Sequence, residues 1–551
     1  MAKHKKTQSK LKIIPLGGLG EIGRNLTVVE YENDIIIIDC GFGFPDENML
    51  GIDLVIPDVT YLEKNIEKVK GIFLTHGHED HIGAIQYVIE DLNVPIFGTP
   101  MTLAMLDRKL VERHIIVDAR TVQEGETAIA GCFKVEFIKV THSLAGACAF
   151  AITTPIGVIY HSGDFKLDAT PIDNKPTNLQ RIAEIGSKGV MLMLGESTNV
   201  ERKGHSDSER VAGVGIENIF ASHREQRLII ATFASSNYRV QQILNIASKY
   251  GRKVILSGRS MKGIVEMGSK VGELTVPNDI IVESPGKLPF AKQIVLATGT
   301  QGEPMSALTR MSEGEFGKIN IGSDDVVVLS SSPIPGNEKS VYNVINKLFK
   351  RGAEVIYESM NDVHVSGHAY AEELKLMLTL VKPKFFMPVH GEYRHQYLHS
   401  KMAEKCGVNP LNIAIPEIGA VYGVNQKTMK RQSNVTAGNV YIDGTVLDEG
   451  SNIIRDRKSL SENGFLIVIV SVDMKNGILL SPPDLLVRGM SMSPEALESA
   501  KGIVENAIAT LDFVGEVIDR SRITQAIRKS LKRQFVKDRH FPMIMPIIYE
   551  A

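Results

Sequence analysis

The chain has 551 residues, 43% of them hydrophobic and 23% charged, which is more than one core serves and argues for several globular domains. Its net charge of −2 excludes capture of nucleic acid by bulk charge, so such a partner would need a local basic groove. Cys40, Cys132, Cys148 and Cys406 are far apart and form no CxxC pair, which excludes a disulfide framework and a thiolate zinc site.

The N-terminal MAKHKKTQSK is basic but lacks an apolar stretch behind it, and reads as a solvated tail and not a secretory signal. No apolar run approaches the length that spans a bilayer. A cytoplasmic protein with neither membrane nor disulfide partner is expected. LKIIPLGG, NLTVVEY, DIIIIDCG, GIFLTHG and VPIFGT then read as strands buried on at least one face, with the helical IGAIQYVIEDL among them. FKVEFIKVTHS, CAFAITT, GVIYHSGD and GVMLMLGES continue the series. Strands with interspersed helices predict two sheets covered by helices, an α/β sandwich.

After about Glu201 the pattern changes. SERVAGVGIENIFASHREQ and NYRVQQILNIASKYG are helical, while RLIIATFAS, RKVILSG, KQIVLATG and DDVVVLSSS are continuous apolar runs. That alternation predicts a parallel-sheet domain. PKFFMPVHGE returns to the first style and is followed by NIAIPEIG, so the second domain is inserted into the first. The expected division is 1–204 and 366–437 for the two parts of the first domain and 205–365 for the insertion. A linker at 438–462 and a small α+β domain at 463–551 follow. The last helix carries Arg520, Arg522, Arg528, Lys529, Lys532, Arg533, Lys537 and Arg539, and reads as a solvated face.

The chemistry concentrates at His76-Gly77-His78-Glu79-Asp80-His81. On an extended turn His76 and His78 project to one side, and Asp80 and His81, at the start of the following helix, face a neighbouring point. One loop thus offers two ligands to each of two metals, and imidazole with carboxylate suits zinc. Further ligands are expected at strand ends: His142 for the first site, His390 for the second and Asp164 between them. Asp39 is placed to orient a ligand histidine, and Glu79 is left as a non-ligand.

This order of residues resembles the metallo-β-lactamase superfamily, and the insertion with GESTN, HVSGH and VHGE resembles its β-CASP nuclease branch. PLGGLGEIGRN, LTHGHEDHIGA, ATFASSNYR, ATGTQGEPMSAL, SSSPIPGNE and HVSGHA are similar to bacterial ribonuclease J across residues 15 to 391. The resemblance implies an αββα sandwich with an inserted β-CASP domain, and two zinc ions replaceable by Mn2+ or Mg2+. It implies cleavage of single-stranded RNA, internally and from the 5′ end with preference for a 5′ monophosphate, in rRNA maturation and mRNA decay. Glu196 matches the acidic β-CASP motif, and His364, Val365, Ser366, Gly367 and His368 match the segment that grips the phosphate beside the scissile bond. Phe233, Ala234 and Ser235 match a second substrate-contacting stretch. Asp80, Glu196 and His368 are the expected catalytic residues, His368 being suited to protonate the leaving oxygen. The family implies a homodimer or homotetramer built through the C-terminal domain, or a heteromer with a paralogue. A DNA-directed nuclease, opposed by His390, and a weakly active structural paralogue are the alternatives.

Overall fold

A computed structural model describes residues 11–46, 49–303, 305–317, 319–334, 337–357, 362–444, 446–448, 451–474, 478–511, 519–537 and 542–550. The basic N-terminal decapeptide and Arg539 lie outside them. Two compact units are formed, one within residues 1–44 and 55–439 and the other within 45–54 and 440–551.

The first unit contains two sheets face to face. One runs in the order Met429–Asn434, Ala420–Val424, Leu11–Gly17, Leu26–Tyr31, Asp34–Ile38, Val69–Phe73, Ile96–Gly98, Ala119–Thr121. The other runs Phe385–Val389, Leu192–Glu196, Gly157–His161, Cys148–Thr154, Phe133–Lys139, Thr127–Ala130. Their facing side chains form one core, with Leu11, Ile13, Val29, Ile36 and Phe73 from the first sheet and Phe133, Phe137, Phe150, Leu192 and Phe385 from the second. Phe73 stacks on Phe97 and meets Phe150 edge-on with ring centroids 6.4 Å apart. Each such ring taken from water contributes about 2–3 kcal/mol. On the outer face of the second sheet, Tyr160 and Phe386 pack with Ile182, Leu374 and Leu378 from the helices Leu179–Lys188 and Ala371–Val381.

The insertion is a five-stranded sheet, Lys253–Ser257, Gln293–Ala297, Arg227–Ala231, Asp325–Leu329, Glu354–Ile356, and every neighbouring pair is parallel. Helices cover both faces, which is why its strands are unbroken apolar runs and not alternating ones. In the second unit the strand Phe465–Asp473 alternates, burying Leu466, Val468, Val470 and Val472. They pack on Ile523, Ile527, Leu531 and Phe535, spaced four apart along Arg520–Lys537. The basic residues Arg522, Lys529, Lys532 and Arg533 stay exposed on that helix.

Three local expectations are corrected. The predicted helix after the histidine loop is split into Glu79–Ile82 and Ile85–Leu92. Its first turn gives its carbonyls away: Cys40 N–H donates to His81 O, Phe42 N–H to Glu79 O and Asn25 N–H to Asp80 O, while Ala84 N–H turns to Cys40 O. NIAIPEIG holds no strand. Pro416 has no N–H to offer a ladder and Gly419 turns the chain at φ 77°, so the strand begins at Ala420 and pairs with Leu11–Gly17. The expected linker 438–462 carries the antiparallel strands Asn439–Asp443 and Val446–Asp448 and the helix Ser451–Asn463. Gly444, at φ 61°, directly follows the first of these strands. Among the described residues no helix is long and apolar enough to cross a membrane. All four cysteines are free.

Candidate metal centre

Strand pairing delivers the polar residues to one edge. Gly157–His161, Leu192–Glu196 and Phe385–Val389 are parallel neighbours, so Asp164, Glu196 and His390 emerge together at their C-terminal ends. In the facing sheet Asp34–Ile38 and Val69–Phe73 are parallel too, which brings out Asp39 beside the loop 75–81. Asp39 and His390 both sit at positive φ, 60° and 49°, a conformation costly for non-glycine residues that turns each side chain back toward the edge. Gly41 lets the two loops at this edge close on each other: a Cβ there would lie 1.7 Å from the Asp80 carbonyl oxygen.

The side chains form three overlapping groups, in each of which the ligand atoms lie within 4.8 Å of one another: His76 with His78 and His142; Asp80 with His81, Asp164 and His390; and His142 with Asp164 and His368. In the first, His78 Nδ1 is 3.0 Å from His76 Nε2 and 3.1 Å from His142 Nε2. Thr75 Oγ1 donates its proton to Asp39 Oδ2 and so accepts from His76 Nδ1 at 3.1 Å, leaving His76 Nε2 with a bare lone pair. His142 Nδ1 donates to the Gly367 carbonyl at 2.7 Å, which leaves its Nε2 bare as well. Burial, aided by neighbouring histidines, holds His76 and His142 well below the usual imidazole range. Burial also pushes His78 down to about 4 against the pull of Asp80 and Asp164. Neutral imidazoles with lone pairs converging on one point suit a cation. Their spacing is close to the roughly 3.3 Å edge of a tetrahedron with ~2.0–2.1 Å zinc–nitrogen bonds.

The second group has the opposite character. His390 Nδ1 donates to Asp164 Oδ1 at 2.7 Å, while its Nε2 is buried without a hydrogen-bond partner, 3.3 Å from Asp80 Oδ2. His81 Nε2 lies 3.2 Å from Asp164 Oδ2 and 3.4 Å from Asp80 Oδ2. Burial disfavours charge on these imidazoles, but the carboxylates prevail: His390 is pushed up to about 10 and His81 well above its ordinary value. One buried and one half-buried carboxylate that draw positive charge in this way are matched to a divalent cation. The donor sets of both groups therefore fit metal ions.

Several groups around Asp39 had no signal in the sequence. Asp39 accepts from Thr75 N and Oγ1 and from His81 Nδ1, each at 2.8 Å, which fixes the tautomer of His81. Asn25 Nδ2 contacts His81 Nε2 at 3.1 Å. A threonine hydroxyl, an asparagine amide and the Gly367 carbonyl are too common for sequence to mark as functional. Asp39→Asn is expected to weaken metal affinity about 10–100-fold. Competition with a chromophoric chelator measures it, and unchanged affinity would remove Asp39 from the site.

Glu196, 1% exposed, accepts from Phe165 N and Thr198 N and stands 3.3 Å from His368 Nδ1 through either oxygen. Burial opposes charge on His368, but Glu196 and Asp164 outweigh it and raise its pKa. Ser366 Oγ accepts from Asn199 Nδ2 at 2.8 Å and from His368 N at 3.2 Å, so its own proton is free to donate. His364 is pushed down to about 3 by burial and then by Arg239, Arg202 and Lys166, and its Nδ1 is buried without a hydrogen-bond partner. Phe233, Ala234 and Ser235 line a cavity of about 380 Å³ together with Gly77, His78 and Lys109. Glu79 stands outside the three groups and pairs with Lys109.

Residues 19–205 match the metallo-β-lactamase superfamily, 225–348 the ribonuclease J β-CASP domain, 352–416 the RNA specificity domain of zinc-dependent metallo-hydrolases, and 452–551 the ribonuclease J C-terminal domain. Ribonuclease J of Synechocystis sp. is 43% identical, with 90% of this chain and 78% of that one covered. Ribonuclease J2 of Bacillus subtilis is 38% identical over 99% and 100%, and ribonuclease J of Thermus thermophilus 37% over 99% and 96%. A solved structure of a protein of unknown function from Enterococcus faecalis shares the fold at a TM-score of 0.51 and 15% identity, covering 75% of this chain and 99% of that one. With these matches along nearly its whole length, the chain belongs to the ribonuclease J family.

Proposed function

We propose that this chain is a metal-dependent ribonuclease. It hydrolyses phosphodiester bonds of single-stranded RNA both internally and in the 5′-to-3′ direction, with preference for a 5′ monophosphate. The observation that carries this reading is the adjacency of the two ligand groups, with the Glu196–His368 pair at their border. His76, His78 and His142 would hold one zinc ion and Asp80, His81 and His390 a second, with Asp164 within reach of both. Such ions supply Lewis acidity to the scissile phosphate and make water acidic enough to attack near neutral pH. Glu196 takes His368 Nδ1–H, which aims the protonated Nε2 at the leaving 3′ oxygen and leaves a 5′ phosphate on the other product. The Ser366 hydroxyl offers a donor to the neighbouring phosphate. Phe233 offers a face for a base, since the chain contains no tryptophan. The same reading places the protein in cytoplasmic rRNA maturation and mRNA decay, as a dimer or tetramer assembled through residues 463–551 or as a heteromer with a paralogue.

The test is digestion of 5′-labelled RNA and DNA of one sequence, the RNA bearing a 5′ mono- or triphosphate, with metal content measured on the same sample. RNA should be cut and DNA spared. The monophosphate should be favoured by about tenfold or more, the worth of one charge-assisted hydrogen bond. Equal cutting of DNA, or full activity without metal, overturns the proposal.

A further inference from the structure

Arg239 is among the largest fully buried side chains in the molecule, 2% exposed. A guanidinium withdrawn from water in this way persists only where it is paired and its donors are used. It lies on the helix Asn237–Lys249, just past Phe233–Ser235. Its Nε donates to Glu209 Oε1 at 2.5 Å, and its Nη1 donates to Ser330 Oγ at 2.6 Å and to the Val363 carbonyl at 2.9 Å. Ser330 Oγ in turn donates to the same carbonyl at 2.6 Å. Glu209 opens the helix Glu209–Ser222, and its N–H donates to Asp168 Oδ2 at 2.9 Å, four residues past Asp164. One guanidinium therefore joins segments that lie far apart in the chain.

Val363 immediately precedes His364–His368. Further along that segment, Asn199 holds Ser366, the Gly367 carbonyl orients His142, and Glu196 orients His368. The far end of the segment is thus registered against the metal centre and the near end against Arg239. We propose that Arg239 is a positioning residue: its grip on the Val363 carbonyl and the Ser330 hydroxyl sets where His364–His368 meets the RNA phosphate. This rests on the ribonuclease reading above. The guanidinium touches no substrate; it acts through the segment it anchors.

The competing account is that the pair merely stabilises the inserted domain, and the pair itself separates the two. Removing one member of a buried ion pair strands the other charge, whereas replacing both by neutral groups of similar volume is often harmless. Arg239→Met alone is therefore expected to fold poorly, and Glu209→Gln/Arg239→Met to fold well while lacking the Arg239 donors to the Val363 carbonyl and to Ser330 Oγ. Arg239→Lys keeps the charge but not the fork of donors. Steady-state kinetics on 5′-monophosphorylated RNA, thermal midpoint and metal content are measured for the wild type, the double variant and Arg239→Lys. The expected result for the double variant is a KM raised about 10–100-fold, as for loss of a hydrogen bond from a charged donor. Its kcat should change much less, and its metal content and midpoint should stay near wild type. Arg239→Lys should raise KM as well, by less. A double variant with wild-type KM overturns the proposal. So does one whose kcat and KM deteriorate only in step with lost metal or lost fold. If the wild type cuts no RNA, the ribonuclease reading fails and the positioning is read from amide hydrogen exchange. Faster exchange at 363–368 in the double variant then supports it, and unchanged exchange overturns it.

Discussion

His78→Ala is expected to end phosphodiester hydrolysis while leaving the fold in place. His78 Nδ1 stands between the bare nitrogens of His76 and His142, at 3.0 and 3.1 Å, so its loss removes the member on which the first group converges. Loss of an outer partner of a metal ligand already costs about 10–100-fold in affinity or activity. Loss of a ligand should exceed that, taking cleavage to roughly 1% or less of wild type. The fold has little at stake. His78 lies outside the apolar clusters of both sheets, and as the residue before Glu79–Ile82 it makes no side-chain capping bond. A stability change of about 1 kcal/mol or less is expected. Metal per chain, far-ultraviolet circular dichroism and RNA cleavage on one preparation check this. Near-normal cleavage by a metal-stripped His78→Ala protein would falsify the two-metal reading.

How far such a site is legible from sequence depends on which atoms do the work. His76 to His81 announce themselves because five of six consecutive side chains carry ligand atoms at a strand–loop–helix junction. Asp164, Glu196 and His390 are legible as polar residues that end apolar runs. What the sequence does not display is that their strands are parallel neighbours, the fact that places them at one edge. Thr75, Asn25 and the Gly367 carbonyl act through groups found everywhere in a chain, and only the fold shows what they touch. Arg239 was hidden for another reason: a buried guanidinium looks in sequence like any surface cation on a helix. The fold shows the same division. Continuous apolar runs announced the inserted parallel sheet, because burial on both faces leaves that imprint. The edge strand Met429–Asn434, MKRQSN, is exposed and polar and is defined by pairing with Ala420–Val424 alone. The break after Ile82 comes from Asn25, Cys40 and Phe42, far back in the chain, whose N–H groups take the carbonyls of the first turn.

His368→Ala is expected to lower turnover about 10²–10⁴-fold, the usual worth of a positioned acid, with metal content at its wild-type level. The histidine is close enough to the centre for both roles to be considered: it shares a group with His142 and Asp164. Yet its Nδ1 is 3.9 Å from Asp164 Oδ2 and only 3.3 Å from each oxygen of Glu196. A ring whose Nδ1–H is given to a buried carboxylate, and whose charged form that carboxylate favours, is built to hold a proton and hand it on from Nε2. Truncation should therefore leave the other ligands in place, and Glu196 still has the amides of Phe165 and Thr198. The chemistry supplies a second discriminator. A phosphodiester with a nitrophenolate leaving group departs without a proton, so His368→Ala should lose far less of its rate on that substrate than on RNA. If the variant loses metal instead, or is impaired equally on both substrates, His368 is a ligand or a phosphate contact, and the proton must come from another group.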